Sequence, residues 1–220
     1  MEKQPLPKII SLFPLPTTVL FPETYLPLHI FEPRYRDMVQ EALDGSRIIG
    51  MVLLKEGWEK DYYGRPLIHP LGCMGKIVQI QRLQDGRFNL VLSGMMKFRV
   101  AEEFSGKSYR KALVHPIPPE EEGSGPLTSG LRKELERVLE VYGRLQGWEE
   151  QIKAVIRLDL EDRKLVQVLS AELDLTPAEK QFLLESDSLD QHCRRLIDFI
   201  RFMAEKRRAR KGADRRRSTD

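Results

Sequence analysis

The sequence predicts an α+β protein, with a β-rich module first and a helical bundle after it. Three observations carry this. Before about residue 118 the apolar residues come in short runs punctuated by proline and glycine, as strands and turns require. Beyond about residue 126 they recur at i, i+3, i+4 and i+7, the period of a helix with one buried face. Between the two lies Pro116–Gly125 (PIPPEEEGSG), rich in proline, acid and glycine, which reads as a linker. The expected boundaries are 1–118 for the β-rich module, 119–126 for the linker, 127–205 for the bundle and 206–220 for a basic disordered tail.

The elements follow in order. Ile9–Leu15, Val19–Phe21 and Leu26–Ile30 are short apolar runs bounded by prolines and read as strands. Pro33 then opens a helix, because a proline at the first helical position loses no hydrogen bond. Tyr35, Met38, Val39 and Ala42 form its apolar face, and Gly45 suits its end. Arg47–Leu54 (RIIGMVLL) is continuously apolar, as expected of a strand covered on both faces. Lys76–Leu83 and Phe88–Leu92 flank Gln84-Asp85-Gly86-Arg87, a tight-turn signal, so they read as a hairpin. Met95–Val100 and Tyr109–Ile117 complete the strands.

In the second half Leu131, Leu135, Val138, Leu139, Tyr142 and Leu145 line one helical face, which Gly147 ends. Shorter helical segments are expected over Ile152–Leu158 and Arg163–Leu173. Thr176-Pro177-Ala178-Glu179 combines an N-cap, a first-turn proline and a capping-box glutamate. Ser188-Leu189-Asp190-Gln191 repeats the pattern before a last helix, whose apolar period stops at about Met203.

Charge is unevenly placed. Lys206–Arg217 holds eight basic residues against one acid, a local +7 that leaves −4 for the rest of a chain whose total is +3. The two cysteines, Cys73 and Cys193, offer no disulfide framework and suit a reducing compartment. Ile9–Phe21 is broken by Pro14 and Pro16 and lacks the features of a signal peptide. No run approaches the ~18 apolar residues of a membrane span. A cytoplasmic location is expected.

Several motifs in fixed order resemble one family. Phe13-Pro14-Leu15, Val19-Leu20-Phe21-Pro22 and Leu26-Pro27-Leu28-His29-Ile30-Phe31-Glu32-Pro33-Arg34-Tyr35 resemble the opening signature of the Lon protease N-terminal substrate-binding domain. Gly72–Ile77, the Asp85-Gly86 hairpin and Leu92-Ser93-Gly94 with Phe98-Arg99-Val100 resemble its following strands. Leu165–Leu175, Lys180-Gln181 and Leu183-Leu184-Glu185 resemble its closing helices. The resemblance runs from about residue 8 to residue 205. It implies a PUA-like β-rich module followed by helices, used to recognise protein substrates. Lon continues into an ATPase and a serine-lysine protease, and this chain ends first. The expectation is therefore a free-standing, non-catalytic form.

Catalytic and metal sites find little support in the residues. Ser105-Gly106-Lys107-Ser108 ends like a phosphate-binding loop, but Ala101 stands where that motif needs its first glycine and both flanks read as strands. No nucleophile elbow is present. His29 reads as a packed strand residue. His69 with Cys73 and His192 with Cys193 lack structural-zinc spacing. No catalytic residue, metal or cofactor is expected.

What remains is the polar face of the first helix. With its apolar face buried, Arg34, Arg36 and Asp37 are expected to be exposed and to contact a partner. The expected function is a protein-binding module that holds unfolded or exposed polypeptide, an adaptor or chaperone-like factor that cooperates with a protease or chaperone. It would grip a client at a sheet edge or in a groove. The alternative is an RNA-binding protein using the PUA-like fold and the basic tail. That tail has no aromatics after Met203, so its contacts would be to phosphate and non-specific.

Overall fold

The computed structural model describes residues 6–122, 125–128 and 130–217. Among the described residues six strands are found: β1 (Ile9–Leu15), β2 (Tyr25–Ile30), β3 (Ile48–Leu53), β4 (Leu71–Arg82), β5 (Phe88–Phe104) and β6 (Arg110–Ile117). Six helices accompany them: α1 (Pro33–Asp44), α2 (Leu131–Gln146), α3 (Glu149–Arg157), α4 (Asp162–Glu172), α5 (Pro177–Leu184) and α6 (Leu189–Arg217). The α+β class is as the sequence implies.

Contacts divide the chain into two compact units. The first holds residues 1–122 together with 167–185, and the second holds 123–166 and 186–220. This differs from the sequence boundary, which kept 127–205 as one bundle. The reason lies in α5. Its buried Gln181 donates from Nε2 to the Leu71 carbonyl at 3.0 Å, satisfying the start of β4. Glu185 receives a second bond from Gln181 and contacts His69 Nδ1 at 3.1 Å. The capping box at Thr176 forms as read, with Glu179 N–H on Thr176 Oγ1 and Thr176 N–H on Glu179 Oε2.

In the first unit the strand order is β2-β5-β4-β3-β1-β6, and β6 returns to pair with β5. Five strands thus close a ring, and β2 lies outside it along the first half of β5. Closure is possible because β5 is long. Its first half pairs with β2 and β4, and its second half with β4 and β6. The sequence suggested two strands here. One strand instead runs through Gly94, with a bulge just after it at Met95, because Gly75↔Gly94 is followed by Met74↔Met96. Gly94 is required at that point, since a Cβ would lie 1.9 Å from the Phe21 carbonyl oxygen. That close approach also explains why Val19–Phe21 is loop and not strand: it passes over the bulge, with Glu23 N–H on the Gly94 carbonyl.

The ring encloses Ile10 and Leu12 of β1, Ile48 and Val52 of β3, Met74, Phe98, Ala112 and Val114. Phe98 is fully buried, and it fits because β3 and β4 each present a glycine to its ring. A Cβ on Gly50 would meet Phe98 Cζ at 2.8 Å, and one on Gly72 would meet it at 2.9 Å. β3 is buried at every residue, as its continuous apolar run implied. Its other face, with Phe13, Cys73 and Ile77, packs on Tyr35, Met38, Val39 and Ala42 of α1.

In the second unit α2 packs on α6 through Leu131, Leu135, Leu139, Leu196, Ile197 and Ile200. Gly147 ends α2 at φ +81. Ser188 Oγ accepts from Gln191 N–H at the start of α6. Helix α6 does not stop at Met203 but continues to Arg217, through most of the expected disordered tail. Lysine, arginine and alanine are good helix formers, so the apolar face ends before the helix does. Of the expected linker and tail, residues 123, 124 and 218–220 lie outside the described residues. Among the described residues no helix is long and apolar enough to cross a membrane.

Gly50→Ala is expected to cost about 1–3 kcal/mol by overpacking the ring, read as a lower urea midpoint. Gly125→Ala, which faces open space, should stay within about 0.5 kcal/mol.

Candidate functional site

Between β3 and β4 the chain leaves the sheet as a loop over Lys55–Leu67. Its root is tied by the Leu54↔Ile68 bridge and by Lys55 N–H on the Leu67 carbonyl at 2.8 Å. Gly57, at φ +84, starts a 3-10 turn over Trp58–Asp61. The Asp61 carboxylate then accepts from Arg65 N–H at 3.0 Å and wraps Gly64, where a Cβ would lie 2.0 Å from it. This compact turn gathers aromatics: Trp58 and Tyr62 meet edge-on at 5.5 Å, and Tyr62 and Tyr63 at 5.1 Å. Tyr63 is 87% exposed and Leu67 74%. These are the most exposed large apolar side chains among the described residues.

The loop is held from the side by the first turn of α1. Arg34 donates from Nη1 to the Tyr62 carbonyl at 3.2 Å and from Nε to Glu32 Oε2 at 3.1 Å. Tyr62 donates its hydroxyl to the other Glu32 oxygen at 2.6 Å. The Arg34 guanidinium carbon lies 4.6 Å from the Tyr35 ring centre, 4.9 Å from Tyr62 and 5.8 Å from Tyr63. Burial and the Glu32 carboxylate push the Tyr62 phenol above its usual range, and burial pushes Tyr35 to about 12. Tyr62 stays a protonated donor to Glu32 across the neutral range, as an ordinary phenol would.

This corrects the expected exposure of Arg34, which is half-buried and braces the loop. A helical wheel shows which face is polar, but not which distant loop covers it. Arg36 is also half-buried, with its guanidinium against Gly86 of the β4–β5 turn. Asp37 is exposed and accepts from Ser108 Oγ at 3.2 Å, in the β5–β6 turn. The three residues thus meet three different loops.

One turn further along α1, Glu41 takes ion pairs from Lys107 and Lys111 and a hydrogen bond from Tyr109. Hydrogen bonds from Lys111 and Tyr109 hold its carboxyl down at about 2. The β5–β6 turn that carries Lys107 is a hairpin, with Gly106 at φ +106 and Phe104↔Lys111 paired across it. The Gly-Lys-Ser triplet therefore precedes a strand and no helix. His29 is exposed on β2 and not packed. Its Nδ1 lies 2.7 Å from Asn89 Oδ1, and its Nε2 3.3 Å from Arg87. Among the described residues no three His, Cys, Asp or Glu side chains are grouped to hold a metal.

Residues 9–201 match the model of the ATP-dependent protease La (LON) substrate-binding domain. The chain belongs to the LON substrate-binding domain family. Among similar proteins, the Lon protease of Desulfosudis oleivorans is 25% identical over 182 residues, 82% of this chain and 22% of that protein. The Lon protease of Flavobacterium johnsoniae is 24% identical over 205 residues, 92% of this chain and 25% of that protein. The chain therefore spans about a quarter of the length of these relatives. The fold is shared with the N-terminal domain of a Mycobacterium avium complex Lon protease (TM-score 0.66, 21% identity, 88% of this chain and 98% of that one). It is also shared with a Lon N-terminal domain protein from Xanthomonas campestris (TM-score 0.64, 23% identity, 86% of this chain and 97% of that one).

Within this domain the loop over Lys55–Leu67 was not singled out from the sequence. A signal was there: Trp58, Tyr62 and Tyr63 crowd six residues between Gly57 and Gly64, in an otherwise charged stretch. Arg34→Ala is expected to cost about 1–3 kcal/mol, the scale of one charge-assisted hydrogen bond with ring stacking. It should also change Trp58 fluorescence in a Trp148→Phe background. Arg34→Lys should restore little, because an ammonium cannot fork between Glu32 and the Tyr62 carbonyl.

Glu41 gives a pH test. Its carboxyl is depressed in the fold from 4.5 to about 2, so its stabilisation is fully present above about pH 4.5 and lost as pH falls toward 2. The side chain is 35% exposed, so solvent screening keeps the effect modest. The urea-midpoint difference between wild type and Glu41→Gln should shrink across that window.

Proposed function

We propose that this domain binds exposed or unfolded polypeptide through the aromatic loop over Lys55–Leu67. The carrying observation is Tyr63 and Leu67, both largely exposed on a loop rooted in the sheet and braced by Arg34. A rigid aromatic presented in this way loses little entropy on contact and covers much apolar area. Polypeptide recognition is the use the family description carries, and the loop supplies a surface suited to it. The domain would hold clients as an adaptor or chaperone-like factor for a protease.

Strand addition at the free side of β2 is less well supported. The Thr24 carbonyl accepts from Gly94 N–H, and the two-residue period then turns Leu26, Leu28 and Ile30 toward β5. Tyr25, Pro27 and His29 face outward, and Pro27 removes the central donor of that edge.

Tyr63→Ala with Leu67→Ser should lower affinity for a reduced, unfolded model protein several-fold and leave the melting temperature within a few degrees, since both side chains are exposed. Fluorescence anisotropy with nuclease-treated protein reads this directly. Unchanged affinity sinks the loop as the contact. Binding that disappears with nuclease favours the RNA reading through the basic end of α6.

A further inference from the structure

Beside the aromatic loop is a small cavity of about 40 Å³, lined among others by Arg34, Arg65, Lys107, Ser108, Tyr109 and Arg110. That is room for one or two water-sized groups, not for a whole side chain. Four cations around so small a space need an account. Arg110 is buried, with Nη1 on Glu103 at 3.2 Å and Nη2 on the Pro66 carbonyl at 2.6 Å. Lys107 reaches Glu41 at 3.1 Å, but Lys111 holds the same carboxylate at 2.5 Å. Arg34 is paired with Glu32 at 3.0 Å, yet its buried Nη2 makes no directed hydrogen bond. Among the described residues the Arg65 guanidinium donates only to the Phe104 carbonyl, at 2.8 Å. Among the described residues no carboxylate ion-pairs with its guanidinium. The nearby Asp61 is already used by the Arg65 backbone N–H.

Around the cavity Arg34, Arg65, Lys107, Arg110 and Lys111 meet as many acids, Glu32, Asp37, Glu41, Asp61 and Glu103, but these acids are engaged by the other cations, by hydroxyls or by backbone N–H, and Arg65 is the cation left without a carboxylate. Two hydroxyls, on Ser108 and Tyr109, also line the wall, both already donating to acids of α1. Converging cationic donors in a concave, partly desolvated space suit an oxyanion. The cavity also adjoins the apolar surface along the chain. Gly64 lines it, Tyr63 precedes Gly64, and Leu67 follows the Pro66 whose carbonyl Arg110 holds.

We propose that this cavity takes a carboxylate of the bound polypeptide while the neighbouring apolar residue of that polypeptide rests on Tyr63 and Leu67. The inference rests on the polypeptide-binding reading and narrows it, because the preferred client segment is apolar or aromatic beside an acid. The rigid hold on Arg34 and Arg110 sets the cavity's walls, and Arg65 and Lys107 supply its exposed charges.

The test uses the full chain and labelled peptides. Two amidated peptides differ only in carrying Glu or Gln next to a phenylalanine, and a third is the Gln peptide with a free C-terminal carboxylate after that phenylalanine. In anisotropy titrations at low salt, the two carboxylate peptides should bind about threefold or more tightly than the neutral one, the scale of one partly exposed charge pair. The preference should shrink as salt rises. In Arg65→Gln with Lys107→Gln the preference should vanish, with melting checked in parallel, and Arg65→Lys should keep part of it. Equal affinity of all three peptides for the wild-type protein overturns the inference, as does a preference that survives the double substitution. Should the neutral peptide and an unfolded protein both fail to bind, the polypeptide reading itself falls. Should they bind while the carboxylate adds nothing, that reading stands and this inference alone is lost. Inorganic phosphate that abolishes the preference at constant ionic strength supports an oxyanion site. Phosphate that binds while peptide carboxylates gain nothing overturns the assignment to polypeptide.

Discussion

The Phe98 ring, held between Gly50 and Gly72, sets the geometry on which the first unit depends. A closed ring of five strands has a narrow interior, and one aromatic fills much of it only where the opposing strands give up their side chains. Glycine normally weakens a strand. Here the loss is offset by burying a whole phenyl ring, worth about 3–5 kcal/mol on truncation. Fixing Phe98 in the interior also fixes the face parity of β5. Because side chains alternate, a one-residue slip would turn Phe98 outward and drive Lys97 or Arg99 in. The register of this one strand therefore constrains β2, β4 and β6 at once, since all three pair with it.

From that frame the aromatic loop follows. β3 and β4 are neighbours in the ring, so the chain between them leaves and returns at nearly the same place. The Leu54↔Ile68 bridge closes the loop at its root. A loop closed in this way can spend its residues on turn chemistry and on contacts instead of on span. Asp61 and Gly64 supply the turn, and Trp58, Tyr62 and Tyr63 supply the contacts. What the root cannot fix is the lean of the loop, and that falls to Glu32 and Arg34. These two residues belong to the Phe31-Glu32-Pro33-Arg34-Tyr35 stretch that carried the family resemblance. Its charged members work as a brace between helix and loop, and Tyr35 packs beneath them against Phe13 at 4.4 Å between ring centres.

Local signals were legible in the sequence, and long-range ones were not. The unbroken apolar run of β3, the Pro33 entry to α1 and the Thr176 capping box each rest on neighbours within a few residues. The continuity of β5 rests on what lies opposite Gly94, the Phe21 carbonyl far away in the chain, so Ser93-Gly94 reads locally as a break. The attachment of α5 to the strand unit rests on one buried amide, Gln181, whose partner is the Leu71 carbonyl. In a helical pattern such a glutamine looks like surface. The extension of α6 to Arg217 has the opposite cause, because a run of charge resembles disorder although lysine and arginine are good helix formers. On the polar face of α1, the exposure expected from the wheel holds for Asp37 but not for Arg34 and Arg36, which are half-buried. Arg34, Arg36 and Asp37 share a polar face in projection, but three separate loops come to meet them.

Burying a cation and leaving an aromatic exposed are linked choices at this site. Placed in water, Arg34 would be one more solvated charge beside a mobile tyrosine-rich loop. Placed under the loop, it stacks on Tyr35 and Tyr62 and pairs with Glu32, while the neighbouring Tyr63 stays largely exposed. Exposed apolar area costs solubility, and a lone large patch on a small domain is a liability unless something covers it. The charged rim of Glu56, Glu59, Lys60 and Arg65 limits that liability by surrounding the aromatics with well-hydrated groups. A surface of this kind is small and ringed by charge, and the proposed grip on a single apolar residue of an unfolded chain needs no more than that, because it requires no particular fold around the residue.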